Sequence, residues 1–365
     1  MKTAFHEESG TWAVQWPGVI SRHDVVFESP PSDPMQHGMP LGNGNLGALI
    51  WTEESKLVMA LNRCDLFETL GEGELGDYDG LRTFLRHGCR IVVDFGQPLF
   101  HPFYVASFEG RLSLADATAC MQLTGSFGTF SLKAFVAWDE DVFFLDLDAD
   151  LLELSSYIEA RIERYGSRVF PRWYTGVRRN LSEGLTGTRS HIIGSHAVIT
   201  HPLGDRRFAC ALNVGAQADL CLMHSRCVLA RLQSGQLQLR AAISPPLMPG
   251  EDIDWAARML DCADKTRLFE AHKREWRAFW DKSYMETDDP YLDSLYHLAL
   301  YYACSGQRGR YPGRFINSLW SWSHDVQPWN YYFHWNQQTI YWGLNAAGRH
   351  ELIKPYLKMR FDGLD

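Results

Sequence analysis

The chain of 365 residues has no apolar run approaching the roughly 20 residues that a membrane-spanning helix needs; stretches such as Val142 to Leu147 fall far short. It has no Cys-x-x-Cys pair and no Cys/His cluster at zinc-ligand spacing, which excludes a structural zinc module and gives no metal site. Its eight cysteines, at 64, 89, 120, 210, 221, 227, 262 and 304, are scattered, so buried reduced thiols are favoured over a disulfide framework. No Lys/Arg block is dense enough to neutralise several phosphates in a row, and the net charge is −9, which excludes a nucleic-acid partner. The first ten residues carry one Lys, then His6, Glu7 and Glu8, with no apolar run behind them. They lack the form of a secretory signal, and a natural start here implies a cytoplasmic protein. Internal repeats and low-complexity tracts are also lacking.

What is abundant is aromatic. The chain has 13 Trp, 15 Tyr and 20 Phe, with Trp clustered at 320, 322, 329, 335 and 342. Such rings either fill a core or offer flat apolar platforms on which sugar rings stack while their hydroxyls stay free to hydrogen-bond.

From about Val25 to Ser244 the pattern is one of short strands separated by Gly, Pro, Asn and Asp: Gly47–Trp51, Lys56–Leu61, Cys89–Phe95, Thr129–Trp138, Val142–Leu147, Phe208–Val214 and Gln236–Ala242 are examples. Many short strands without helical periodicity between them predict a large antiparallel β-sandwich. After a turn-rich Pro245–Asp252 the residues become helix formers. Leu268, Trp276, Phe279 and Trp280 repeat at spacings of three and four, predicting one long linker helix over Ile253–Ser283. Asp288 or Asp289 followed by Pro290 caps a second helix, in which Leu292, Leu295, Tyr296, Leu298, Ala299 and Tyr302 form a wide apolar face expected to be buried among other helices. A long loop from Ser305 to about Trp335, a third helix over Asn336–Ala347, a break at Gly348 and a helical stretch over Glu351–Phe361 complete the chain.

Two motifs could carry chemistry. Met39-Pro40-Leu41-Gly42-Asn43-Gly44-Asn45-Leu46-Gly47 suits tight turns with positive φ. A phosphate loop would need a Lys and a following helix, whereas a strand follows, so a cofactor cradle is excluded and no cofactor is expected. A tight turn feeding a strand is the plain reading; a contact with sugar or with a neighbouring domain is the other. The second motif runs from Pro312 through Trp320, Pro328-Trp329 and His334-Trp335-Asn336-Gln337-Gln338 to Tyr341-Trp342. His334 and Gln338 are four apart with Asn336 between them at the mouth of a helix, where an imidazole and amides could bind sugar hydroxyls or orient a water. Capping by Asn336 and a core His334 would explain the same residues.

At these two motifs the chain resembles glycoside hydrolase family 95, α-L-fucosidases and α-galactosidases among them, together with the N-terminal domain of their bacterial relatives. Val25-Val26-Phe27-Glu28-Ser29-Pro30 with the Gly/Asn motif is similar to the family's start. Trp320, Asp325, Pro328-Trp329, His334-Trp335-Asn336-Gln337, Gln338, Tyr341-Trp342 and Ala347-Gly348-Arg349-His350-Glu351 are similar to the first hairpin of its catalytic toroid.

The resemblance implies a β + α protein in three parts: an N-terminal antiparallel super-sandwich over 1–252, a helical linker over 253–285, and over 286–365 the first helices of an incomplete (α/α)6 catalytic domain. It implies inverting hydrolysis of O-glycosidic bonds, with an acid and an assisted base about 6.5–9.5 Å apart to admit water. Asn336 and His334 would serve catalysis, and Trp320, Asp325, Trp329, Trp335, Gln338 and Trp342 would bind an oligosaccharide or polysaccharide. His334 departs from the pattern, since the fucosidases carry Asn at the first position of Asn-x-Asn. The family's acid and base fall beyond residue 365, so this portion alone would be inactive; Asp325 and Glu351 are the carboxylates nearest the motif. A non-catalytic carbohydrate-binding or scaffolding protein and a glycoside phosphorylase are the alternatives.

Overall fold

The computed structural model describes residues 5–6, 8, 11–12, 16–69, 83–152, 158–164, 186–215, 218–232, 235–314, 317–321 and 335–364. Two antiparallel sheets dominate. In spatial order the nine-stranded sheet is β15 (Arg189–Ile193), β16 (His196–Leu203), β17 (Arg206–Asn213), β20 (Gln236–Ile243), β13 (Val142–Leu151), β12 (Gly128–Val136), β11 (Thr118–Gly125), β10 (Val105–Ser113) and β3 (Val25–Phe27). The seven-stranded sheet is β18 (Asp219–His224), β19 (Cys227–Leu232), β14 (Ile158–Glu163), β9 (Cys89–Asp94), β6 (Lys56–Arg63), β5 (Leu46–Glu53) and β4 (Met39–Gly42). Two small pairs, β1 (Phe5–His6) with β2 (Thr11–Trp12) and β7 (Phe67–Thr69) with β8 (Thr83–Leu85), lie outside them.

Alternation fixes the interior. On β20, Gln236 and Gln238 are exposed while Leu237 and Leu239 are buried; on β6, Leu57, Met59 and Leu61 point into the same core. Successive side chains of a strand project to opposite faces, so these alternate residues line the space between the two sheets with Phe130, Leu132, Phe143 and Leu145. All eight cysteines are free thiols, and Cys64, Cys89, Cys210, Cys227 and Cys304 are buried.

Six α-helices are described: α1 (Trp16–Ile20), α2 (Glu251–Cys262), α3 (Lys265–Trp280), α4 (Pro290–Gln307), α5 (Trp335–Ala346) and α6 (Lys354–Asp362), with a 3₁₀ turn at His350–Leu352 before the last. The single long helix expected over Ile253–Ser283 is two. Asp264, in extended conformation, accepts from the Arg267 N–H and caps α3. The break lets Ala256 and Leu260 of α2 and Leu268 of α3 meet Phe135, Phe144, Val198 and Ala211 on the outer face of the nine-stranded sheet.

Helix α4 starts where expected, at Pro290 behind the Asp289 cap, but Ser305 to Gln307 extend it into the supposed loop. Its burial also differs from the expectation. Leu292, Leu295 and Tyr302 are exposed, whereas Asp293, His297, Leu300, Tyr301 and Cys304 are buried. The cause is the docking partner: the Tyr301 hydroxyl donates to the Pro40 carbonyl at 2.6 Å, Tyr301 stacks on Trp276 at 5.5 Å, and His297 stacks on His23 at 4.2 Å. The helix therefore leans its narrower side on the sandwich and on α3. Among the described residues no helix is long and apolar enough to cross a membrane.

Candidate functional site

The Gly/Asn motif is a hairpin turn that locks the helices to the sandwich. Met39–Gly42 is itself strand β4, paired with β5, and Asn43 to Asn45 make the turn between them. The buried Asn43 carboxamide oxygen accepts from the N–H groups of Asn45 and Leu46, while its amide donates to the carbonyls of Ala137 and Glu140 and to Asp141. Gly44, at φ 90°, donates its N–H to the Ser305 carbonyl near the end of α4. Asn45 then accepts from the Arg310 N–H at 2.7 Å. A Cβ on Gly44 would stand 2.3 Å from the Gly309 nitrogen, and one on Gly42 would stand 2.6 Å from the Ser305 carbonyl oxygen. Glycine is required here for close approach as much as for the turn. Beneath the turn Arg63 bonds Asp65 and Asp141; burial opposes its charge, and the two carboxylates outweigh that and raise its pKa.

The segment 317–321 crosses the outer face of the seven-stranded sheet. Asn62 donates to the carbonyls of Leu319 and Ser321, and the Trp320 indole N–H donates to the Leu41 carbonyl at 2.9 Å. Trp320 covers Leu49, Trp51, Val58, Ala60 and Val92. Asn317 and Ser318 both have positive φ, 57° and 42°, a conformation that side chains other than glycine rarely adopt and that is held here by the Ser318 hydroxyl on the Gly306 carbonyl and by Arg314 on the Ser318 carbonyl.

Between this segment, the 34–40 arm and α4 lies a cavity of about 460 Å³. Tyr302 and Trp320, whose ring centroids are 5.6 Å apart, form an aromatic corner, and Met35, Leu49 and Ile340 continue the apolar wall. Gln36, Gln307, Arg314, Asn317 and Ser318 supply the polar groups. Gln307 belongs to a buried relay, accepting from the Tyr341 hydroxyl, which in turn accepts from Gln337; Gln337 also donates to the Gly313 carbonyl. Burial pushes the Tyr341 phenol up to about 12, so it stays protonated and able to donate. An apolar wall with a few converging amides and hydroxyls suits a small polyhydroxylated ligand. The described lining holds no carboxylate or imidazole, so these residues can bind but cannot exchange protons near neutral pH.

Helix α5 divides the expected residues. Gln337, Tyr341 and Leu344 are its buried stripe; Trp335, Asn336 and Trp342 are exposed, the two tryptophans by 59% and 60%. Seven residues fall about 20° short of two full turns, so both rings stand on nearly the same line of the helix. Gln338 is half-buried and donates to the Tyr356 hydroxyl of α6 at 3.4 Å. Of the expected residues that are described only Trp320 lines the cavity; Trp335 and Trp342 form a separate exposed stripe, with Asn336 exposed about 100° further round the helix, and Asp325, Trp329 and His334 lie outside the described residues. Glu351 is held by Lys282 at 2.8 Å. Burial alone would raise its carboxyl, but the bonds from Lys282 and the backbone outweigh it and hold the group below the ordinary range, which suits an ion pair and not a proton donor. Nearby, the buried Arg349 lies over the Phe279 ring and donates to the Phe279 carbonyl in the last turn of α3. Among the described residues no group of three or more His, Cys, Asp or Glu could hold a metal ion.

Gln307, Arg314 and Gln337 escaped sequence reasoning as cavity residues, whereas Asn43 lay in the motif for which a contact with a neighbouring domain was the second reading.

No protein-family model matches the chain, and no curated protein matches it by sequence. Solved structures do. A protein of the human microbiome provisionally assigned as a kojibiose phosphorylase superposes with a TM-score of 0.58 at 10% identity, over 82% of this chain and 44% of its own. The two share a fold. A bacterial glucoamylase complexed with acarbose (TM-score 0.43, 8% identity, 80% of this chain and 46% of its own) and a family GH92 α-mannosidase of Bacteroides thetaiotaomicron in complex with mannoimidazole (0.31, 11%, 80% and 40%) match more loosely. The chain thus spans less than half the length of each.

Proposed function

We propose that this chain is the sandwich and opening helices of a carbohydrate-active enzyme that cleaves O-glycosidic bonds, built like family 95 with an (α/α)6 toroid. In this reading residues 1–252 are the sandwich, 253–285 the linker and 286–365 the first helices of the catalytic domain. The observation that carries it is the pairing of a fold shared with the protein assigned as a kojibiose phosphorylase with an exposed Trp335–Trp342 stripe on α5. The uncovered apolar residues Leu292, Leu295 and Tyr302 of α4 and Leu357 and Phe361 of α6 are then the surface on which further toroid helices pack.

Within that toroid Trp320, Asp325, Trp329, Trp335, Gln338 and Trp342 bind the saccharide, and Asn336 with His334 positions the attacking water. The acid and base come from outside residues 1–365. Hydrolysis is inverting.

The test is turnover of aryl α-L-fucosides, α-galactosides and plant oligosaccharides by the product of the whole gene, with the product anomer followed by NMR. Inverted product without phosphate supports hydrolysis. Turnover that requires inorganic phosphate supports instead a phosphorylase, the activity assigned to the structural neighbour. Glycan binding without any turnover supports a non-catalytic scaffold, and neither binding nor turnover sinks the carbohydrate reading.

A further inference from the structure

The outer face of the nine-stranded sheet is divided in two. At one end Phe135, Val142, Phe144 and Ala242 are apolar and lie under α2 and α3. At the other end the same strands turn polar and nothing among the described residues covers them. The border is marked by Lys265 of α3 paired with Asp146, and by Lys133 over the Phe269 ring at 4.5 Å.

Beyond that border the register sets side chains in rows across the sheet. Glu109, Gln122, Ser131, Asp148 and Gln236 are consecutive cross-strand partners on five strands. Next to them, farther from the helix, run Thr124, Thr129 and Asp150. Two depressions, of about 610 and 520 Å³, lie side by side along these rows and share Gln122, Ser131 and Asp148. Four interstrand spacings make a floor about 19 Å wide.

We propose that this trough is a second saccharide-binding surface, separate from the proposed cleft at the helices, and that it takes an extended neutral glycan. The chemistry selects the class. A protein partner would need apolar anchors in the middle of the patch, and the exposed positions in the middle rows are amides, hydroxyls and carboxylates. A polyanion is repelled, because Glu109, Asp148 and Asp150 face the trough with Lys133 the basic group in its lining. Closely spaced amides and hydroxyls that both donate and accept match a chain of hydroxyls.

The test is affinity electrophoresis of the intact chain through gels containing galactomannan, xyloglucan or, as the anionic control, polygalacturonate. Retardation by a neutral polysaccharide, weakened at least tenfold in Q122A/Q238A and in S131A/D148A, is the expected result. These positions are exposed or, for Ser131, half-buried, and circular dichroism checks that the variants stay folded. No retardation by either neutral polymer, preference for polygalacturonate, or unchanged retardation of the variants would each overturn the proposal. In the whole-gene product the same variants should leave turnover of small aryl glycosides unchanged; loss of that turnover would assign the trough to the active site and overturn the second surface. Absence of turnover in the unmodified enzyme counts only against the proposed function.

Discussion

The sandwich and helix α4 settle the question of burial differently. In the sandwich, alternate residues go in and out with apolar side chains inside, as on β13, where Phe143, Leu145 and Leu147 are buried and Asp148 and Asp150 exposed. On α4 the order is reversed at several positions: Asp293, His297 and Gln307 are buried while Tyr291, Leu292 and Leu295 face outward. A sheet pair with one shared interior leaves little choice of face, because a one-residue slip would expose every apolar side chain. A helix with apolar residues nearly all round can rest on either side, and specific bonds such as Tyr301 to Pro40 decide which.

If the helices depend on the sandwich through the glycine turn, breaking that turn should separate the two. Gly309→Val is the severest case, since even a Cβ there would stand 2.0 Å from the Gly44 carbonyl oxygen. We expect a loss of about 3 kcal/mol or more in urea unfolding, at the top of the range for overpacking, with the helical signal lost before the sheet signal. A single shared transition at unchanged midpoint would show that the seam is not what holds the halves.

The contact between α3 and the sandwich has a pH dependence. His272 donates from Nε2 to the Asp116 carbonyl at 2.8 Å, and burial lowers its pKa from 6.5 to about 4. Protonation therefore favours the unfolded chain. Its contribution is complete above pH 6.5 and is lost as pH falls toward 4, by about 3 kcal/mol over that window. In His272→Gln the stability-against-pH slope between those values should flatten, and an identical slope would refute the assignment.

A smaller effect is expected at Asn43. Its replacement by Ala leaves the Asn45 and Leu46 N–H groups without their acceptor, costing about 2 kcal/mol. At the other extreme, Trp342→Ser on the exposed stripe should move stability by less than about 0.5 kcal/mol while abolishing saccharide affinity in the whole-gene product. A large stability loss there would mean that the ring packs in a core after all.

Much of the sandwich was legible because period-two alternation is strong on strands such as β12, β14 and β20. Strand β19, Cys227–Leu232, was missed: its burial is nearly continuous, and continuous apolar runs carry no period. The cap and start of α4 were legible from Asp289-Pro290, but not which face it would bury. The break at Asp264 was hidden because both flanking segments share helical periodicity and one Asp is a faint stop signal. For the site, the Gly/Asn turn and the aromatic cluster were visible as composition. That Trp320 would bind the Leu41 carbonyl, or that Gln307, Gln337 and Tyr341 would form one relay, depends on contacts between distant segments that no local pattern encodes.

The bond between Asn45 and the Arg310 N–H joins positions 265 residues apart. A ribosome adding about 5–20 residues per second completes the β4–β5 hairpin roughly 13 to 50 s before its partner emerges. During that interval the newborn sheet presents bare glycine backbone at the tip where the last turn of α4 will settle, so the nascent chain has a defined window in which a chaperone, or a neighbouring polypeptide, can reach that spot first.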